Sequence, residues 1–163
     1  MQIIDNFLPD KEFRQIYNLM LSADFPWYFA NSKLPPTHSI IEEKYNYQFG
    51  HSFYRDYAFH SNYGVNIIPI IKKIAPITIF RIKGFLLPRA DKIAEYGYHL
   101  DNEYNTKVAI YYVNTNNGYT KFEDGTVVDS IANRMVLFDG NIKHTGSTCT
   151  DQKIRCGINF NYF

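Results

Sequence analysis

Cysteine is scarce in this chain: Cys149 and Cys156 are the only two in 163 residues. Two thiols are too few for a disulfide-stapled scaffold, and neither stands in a metal-ligand spacing, so a thiolate zinc site is set aside. The opening, MQIIDNFLPDKEF, has no basic segment followed by an apolar one, which is the pattern of a secretory signal. A cytoplasmic protein with reduced thiols is therefore expected. Charge excess is missing as well. Seventeen basic residues against sixteen acidic leave a formal +1, so no basic field marks the chain for nucleic acid or an anionic membrane. No apolar run approaches the roughly 20 residues that cross a bilayer. Repeats, linkers, low-complexity stretches and motifs of nucleophilic catalysis are also absent.

Aromatic side chains are plentiful. Fourteen tyrosines and thirteen phenylalanines bring aromatic content to 17% within an apolar total of 45%, too apolar for a disordered chain and suited to strands. The length fits one domain, 1–163, with a helical and irregular support region over 1–76 and a strand-built core over 77–163. PDKEFRQIYNLML predicts an amphipathic helix near 11–22, with Phe13, Ile16, Tyr17, Met20 and Leu21 at helical spacing. Residues 25–63, with Pro26, Pro35 and Pro36 among many Tyr, Asn and Ser, read as a long loop with at most a short strand. VNIIPIIKKI predicts a second helix over about 65–74, closed by Pro76.

From Ile77 the pattern becomes strand and turn. ITIFRIKGFLL, TKVAIYYVN, YTKF, TVVDS, RMVLF and RCGINFNYF are β-branched and aromatic, separated by TNNG, EDG, DGN and STCTDQK. Six or more short strands at this spacing predict a mainly β fold, a jelly roll or double-stranded β-helix, with the two helices packed on one sheet. In the last strand Arg155, Gly157, Asn159 and Asn161 share one face, and Cys156, Ile158, Phe160 and Tyr162 the other. The apolar face needs the helices as cover. The polar face then looks into the sandwich, where an arginine is costly unless it meets a carboxylate or phosphate.

One short stretch, EYGYHLDNEYN, places His99 and Asp101 two residues apart. On an extended chain both leave the same face, which suits two ligands of one metal ion and equally an ordinary imidazole–carboxylate hydrogen bond. LFDGNIKHTGS adds His144 just past a turn. His99 and His144 are the only histidines after residue 60. Two imidazoles and a carboxylate are the facial triad of non-heme Fe(II) oxygenases, which leaves positions for a bidentate 2-oxo acid and dioxygen. Arg155 offers a planar fork for the distal carboxylate of such an acid.

With HLD, YYVNTNNGYTKFEDG, RMVLFDGNIKHTG and KIRCGINFNYF in place, residues 77–163 resemble the Fe(II)/2-oxoglutarate-dependent dioxygenases, in their prolyl 4-hydroxylase-like branch. The chain looks most like short phage-encoded members. The resemblance implies Fe(II) on His99, Asp101 and His144, 2-oxoglutarate anchored by Arg155, ascorbate as reductant, and hydroxylation of a C–H bond, with peptidyl proline the branch's usual target. Arg155 follows His144 by eleven positions, where nine or ten is usual, so Lys153 competes for the anchor role; strand phase favours Arg155. NNG stands in place of the branch's double glycine, which leaves Thr120 a candidate cosubstrate contact, and no cosubstrate tyrosine aligns.

The substrate implied is a peptide or a small molecule; no nucleic-acid or membrane partner is expected, and oligomeric state is open. His38, His51 and His60 read as loop or substrate-face residues. A non-catalytic jelly-roll module for a sugar or metal ligand is the alternative, with a cupin-type metalloenzyme lacking 2-oxoglutarate ranked last.

Overall fold

The computed structural model describes residues 1–34 and 39–163. Pro35, Pro36 and His38, read above as loop, lie outside the described residues. The chain is mainly β. Its strands are β1 (Gln2–Ile4), β2 (Tyr28–Ala30), β3 (Gln48–Arg55), β4 (Ala58–Phe59), β5 (Ile79–Pro88), β6 (Lys107–Tyr112), β7 (Tyr119–Phe122), β8 (Val127–Asp129), β9 (Arg134–Asp139), β10 (His144–Gly146) and β11 (Ile154–Tyr162). Two α-helices, α1 (Asp10–Met20) and α2 (Ile68–Ile74), precede the second half. No helix among the described residues is long and apolar enough to cross a membrane.

The large sheet runs β1-β9-β6-β11-β5-β3-β2, with β4 beside β3, and every pairing is antiparallel. A small sheet, β10-β7-β8, faces it. Residues 95–99 extend the small sheet through bridges Glu95–Ser147 and His99–His144. The result is the jelly-roll sandwich that the strand spacing predicts. Two apolar layers hold it. Between the sheets pack Val108, Ile110, Tyr112, Phe122, Val128, Val136 and Phe138. On the outer face of the large sheet, Ile16 and Met20 of α1 and Ile70 of α2 pack with Ile82, Cys156, Ile158 and Phe160.

The helix boundaries follow local chemistry. Asp10 and Glu12 place negative charge in the first turn of α1, where the helix dipole favours it. The buried stripe differs from the expected one by a small rotation. Ile16 and Met20 are buried, Phe13 and Leu19 are half-buried, and Tyr17 is 38% exposed, lying edge-on against Phe13. Tyr17 keeps its hydroxyl in water at little cost because the ring still covers Phe13. Before α2, Ser61 accepts a hydrogen bond from the Tyr63 N–H and opens a 3-10 segment, Asn62–Ile67. The α-helix starts only at Ile68, since Pro69 has no N–H to give and fits the first turn. Pro76 follows its end, as expected.

The first 76 residues contain more strand than the sequence pattern announced. β3 is eight residues long and pairs with β5, in the stretch read as loop. Its outer face carries Phe49, His51 and Phe53, a strand alternation obscured by a histidine in the middle of an apolar row. His51 is correspondingly a packed residue and not a loop or substrate-face one. It is buried, its Nδ1 lies 2.8 Å from the Pro26 carbonyl and its Nε2 2.7 Å from the Ser61 hydroxyl, and Phe25 and Phe53 flank the ring. His60 is exposed just beyond β4.

Candidate metal centre and cavity

His99 and His144 face each other across an antiparallel bridge. Each backbone N–H donates to the other residue's carbonyl, at 3.0 and 3.1 Å, so the two Cα atoms form a hydrogen-bonded pair and both rings leave the same face. The ring centroids are 4.9 Å apart. His99 Nδ1 lies 3.0 Å from the Gly97 carbonyl, and His144 Nδ1 lies 3.3 Å from the Ile142 carbonyl. A carbonyl only accepts, so Nδ1 carries the proton in each ring and each Nε2 presents a lone pair. Phe138 packs edge-on against the His144 ring and fixes its plane.

Asp101 completes the cluster. Its Oδ1 lies 3.9 Å from both Nε2 atoms, and one ligand atom from each of the three residues lies within 4.8 Å of the others. The other oxygen, Oδ2, accepts hydrogen bonds from Asn159 Nδ2 at 2.8 Å and Asn161 Nδ2 at 2.9 Å. The polar face of β11 thus grips one carboxylate oxygen and turns the other toward the imidazoles. Burial and the neighbouring ring push His99 down to about 4, and burial also lowers His144. Burial works to raise Asp101, yet His144, Arg81 and the two asparagine amides together hold it below its usual value. Near neutral pH the cluster is two neutral imidazoles and a carboxylate, the protonation state that binds a divalent metal. Two nitrogens and one oxygen fit Fe(II) with open positions.

The cluster opens into a cavity of about 790 Å³ between the sheets, which Arg155 also lines. Arg155 is 2% exposed. Its Nε donates to Ser130 Oγ at 2.8 Å and one terminal nitrogen to Thr120 Oγ1 at 3.3 Å. The guanidinium lies between the Phe85 and Tyr112 rings, 5.4 and 5.7 Å from their centroids. Two glycines make that placement sterically feasible. A Cβ on Gly118 would come within 2.7 Å of Arg155 Cδ, and one on Gly157 within 2.5 Å of Phe85 Cζ. The glycine of NNG therefore matters as room for the arginine stem. Thr120 lines the same cavity and accepts from the Tyr112 hydroxyl at 2.8 Å. Lys153, the competitor, is exposed. Both cysteines are buried free thiols.

Four further cations line the cavity that sequence reasoning missed, one of them Lys143, next to His144 in the chain. Arg81 and Lys83 project from β5 beside Phe85, and Lys33 reaches in from the loop after β2, its Nζ 3.6 Å from the centre of the Tyr96 ring. For β5 a signal existed: Arg81, Lys83 and Phe85 alternate with Ile82, Gly84 and Leu86. For Lys33 none did.

Set beside known proteins, no family profile matches the chain and no curated relative does. Solved structures do. An oxidoreductase of the 2OG-Fe(II) oxygenase family from Burkholderia pseudomallei superposes with a TM-score of 0.72 at 12% identity, over 98% of this chain and 83% of that one. The chain has the fold of the 2OG-Fe(II) oxygenases. A prolyl hydroxylase from Trichoplax adhaerens, in complex with a peptide fragment of the hypoxia inducible factor oxygen degradation domain, gives 0.62 at 19% identity over 99% and 82%. The non-heme epimerase SnoN, in complex with Fe3+, alpha ketoglutarate and nogalamycin RO, gives 0.66 at 10% identity over 99% and 77%. At these identities the likeness is one of fold.

Proposed function

We propose that the protein is an Fe(II)- and 2-oxoglutarate-dependent oxygenase that hydroxylates a C–H bond of a peptide or small molecule, acting in the cytoplasm with ascorbate as reductant. One observation supports this above the rest. A His–Asp–His cluster of the right protonation state shares its cavity with a buried arginine that has no acidic partner among the described residues. His99, Asp101 and His144 would hold the iron, and Arg155 with Thr120 would receive the distal carboxylate of 2-oxoglutarate. When bound, iron and cosubstrate would supply the oxidising chemistry: with dioxygen as the oxidant, 2-oxoglutarate becomes succinate and CO2, one oxygen atom entering succinate and the other the substrate's new hydroxyl.

The chain's own part is positioning. Backbone carbonyls fix both imidazole tautomers, and the Asn159 and Asn161 amides fix the carboxylate, so the three ligand atoms are preorganised. Arg155, held by Ser130 and Thr120 between two rings, is a fork already aimed. The apolar layer of Ile110, Phe122, Val136 and Phe138 keeps water out from behind the site. No general acid or base is required.

The test is release of succinate from 2-oxoglutarate with Fe(II), ascorbate and air, during a mass-spectrometric screen of candidate peptides and small molecules. Turnover should require Fe(II) and vanish in Asp101→Ala. Unchanged turnover in that variant would remove the triad reading, and metal binding with neither 2-oxoglutarate binding nor turnover would favour the binding-module alternative.

A further inference from the structure

The cavity holds more positive charge than this chemistry needs. On the oxygenase reading, Fe(II) with Asp101, and dianionic 2-oxoglutarate with Arg155, together come to zero net charge. At the rim, Lys143 is answered by Glu123 at 3.6 Å, and Glu103 adds one carboxylate to the lining besides Asp101. Lys33, Arg81 and Lys83 remain in the wall. Arg81 reaches Asp101 only at 3.9 Å, and its Nε is buried without a hydrogen-bond partner among the described residues. Lys83 has no carboxylate within ion-pair distance among the described residues; burial first, and then Arg81, lowers its affinity for a proton.

Lys83 is seated by backbone. It stands on the middle one of three strands, opposite Asn159 on β11 and Ser52 on β3. Its stem crosses Gly50, where an added Cβ would come within 3.0 Å of Lys83 Cε and 3.7 Å of Nζ. A side chain at position 50 would displace the ammonium. Arg81 lies two residues along the same face, opposite Asn161, so the two cations leave the strand about 7 Å apart. They stand beside the two asparagines that hold Asp101. A half-buried cation without a partner is destabilising, and here it borders open volume next to the metal ligands. A ligand oxyanion is the partner that would relieve both.

We propose that the substrate carries an oxyanion, a carboxylate or a phosphate, which Lys83 and Arg81 receive beside the metal, so that the hydroxylated compound is anionic near its reacting carbon. This rests on the proposed function for the location of the metal. The experiment loads the protein with Mn(II) and saturating 2-oxoglutarate and follows nuclear relaxation of two probes, inorganic phosphate by 31P and labelled acetate by 13C. Mn(II) uptake by electron paramagnetic resonance and 2-oxoglutarate binding by calorimetry are read first. A protein that takes up neither refutes the oxygenase reading, and phosphate titrated into metal-free wild type and Lys83→Met then tests the cation site by itself. The expected result is Mn(II)-enhanced relaxation of at least one probe with 2-oxoglutarate bound. Lys83→Met should raise that probe's dissociation constant at least ~10-fold and Lys83→Arg should recover most of it, with Mn(II) and 2-oxoglutarate binding unchanged. A response to phosphate alone assigns a phosphorylated substrate, and to acetate alone a carboxylic one. No enhancement with 2-oxoglutarate bound, or equal enhancement in Lys83→Met, overturns the proposal, the latter because the probe then ligates the metal directly. In the metal-free titration, equal phosphate affinity of the two proteins overturns it too.

Discussion

β11 presents two chemistries on alternate residues. Toward the helices it offers Cys156, Ile158 and Phe160, all buried in one apolar cluster with Ile16, Met20 and Ile70. Toward the cavity it offers Arg155, Gly157, Asn159 and Asn161, which line, widen or brace the site. Each large apolar side chain on the first face contributes about 1.5 to 3 kcal/mol when fully buried. On the second face a buried guanidinium without an acid, and asparagine oxygens without donors among the described residues, cost stability. The two-residue period of a strand lets one segment do both, with stability drawn from one face and spent on binding at the other.

Substitutions should separate the faces cleanly. Ile158→Ala should destabilise the fold by about 2 to 5 kcal/mol in urea unfolding, since a closed core cannot collapse onto the space. Its 2-oxoglutarate affinity, measured where the variant is folded, should match wild type. A large loss of affinity there would mean the two faces are not independent.

The next largest effect tests the metal end by pH. His99 falls from an ordinary 6.5 in the unfolded chain to about 4 when folded. Between those values the unfolded state binds more protons, so stability of the metal-free protein rises with pH and is lost as pH falls through that window. His99 alone accounts for on the order of 3 kcal/mol, and Asp101, also lowered, acts in the same direction at still lower pH. Urea midpoints of chelator-treated protein at pH 7, 5.5 and 4.5 measure this. A flat profile would show that the imidazoles are solvated and the site is more open than its geometry.

On the cavity face, Asn161→Ala removes one of two donors from Asp101 Oδ2. Metal affinity should drop about 10- to 100-fold by competition with a chelating dye, with 2-oxoglutarate affinity following only through the metal. Arg155→Ala should weaken 2-oxoglutarate about 10- to 100-fold, and Arg155→Lys should recover only part of that because a point charge replaces the fork. Lys153→Ala gives the smallest effect expected, within about threefold, because that side chain lies in solvent. An essential Lys153 with a dispensable Arg155 would invert the assignment of faces.

Much of this was legible along the chain, and where it was not the reason is physical. Alternation in RCGINFNYF separates cavity from core because a strand's period is fixed by its backbone. YTKF matches β7 to the residue, and five other expected strands lie within a few residues of β5, β6, β8, β9 and β11. The three-residue β10 at His144 was not among those expected. The same rule was available for Gln48–Arg55 and went unread, because His51 is held by hydrogen bonds to Pro26 and Ser61 that only folding supplies. Tyr17 leaves the helix stripe because a phenol can cover a neighbour with its ring and still reach water.

By itself the sequence determined a mainly β sandwich, a helix ending before Pro76, an H-x-D pair with a later histidine, and an arginine on the polar face of the closing strand. Those are local properties, set by spacing, period and side-chain type. Tertiary structure alone decided that His99 and His144 meet as a bridged pair, that Asn159 and Asn161 turn Asp101 toward them, and that Lys33, Arg81 and Lys83 converge on one cavity. Such meetings join residues up to 122 positions apart, from Lys33 to Arg155. No local preference encodes them, since they depend on which strands pair and in what register, and the whole core fixes that together.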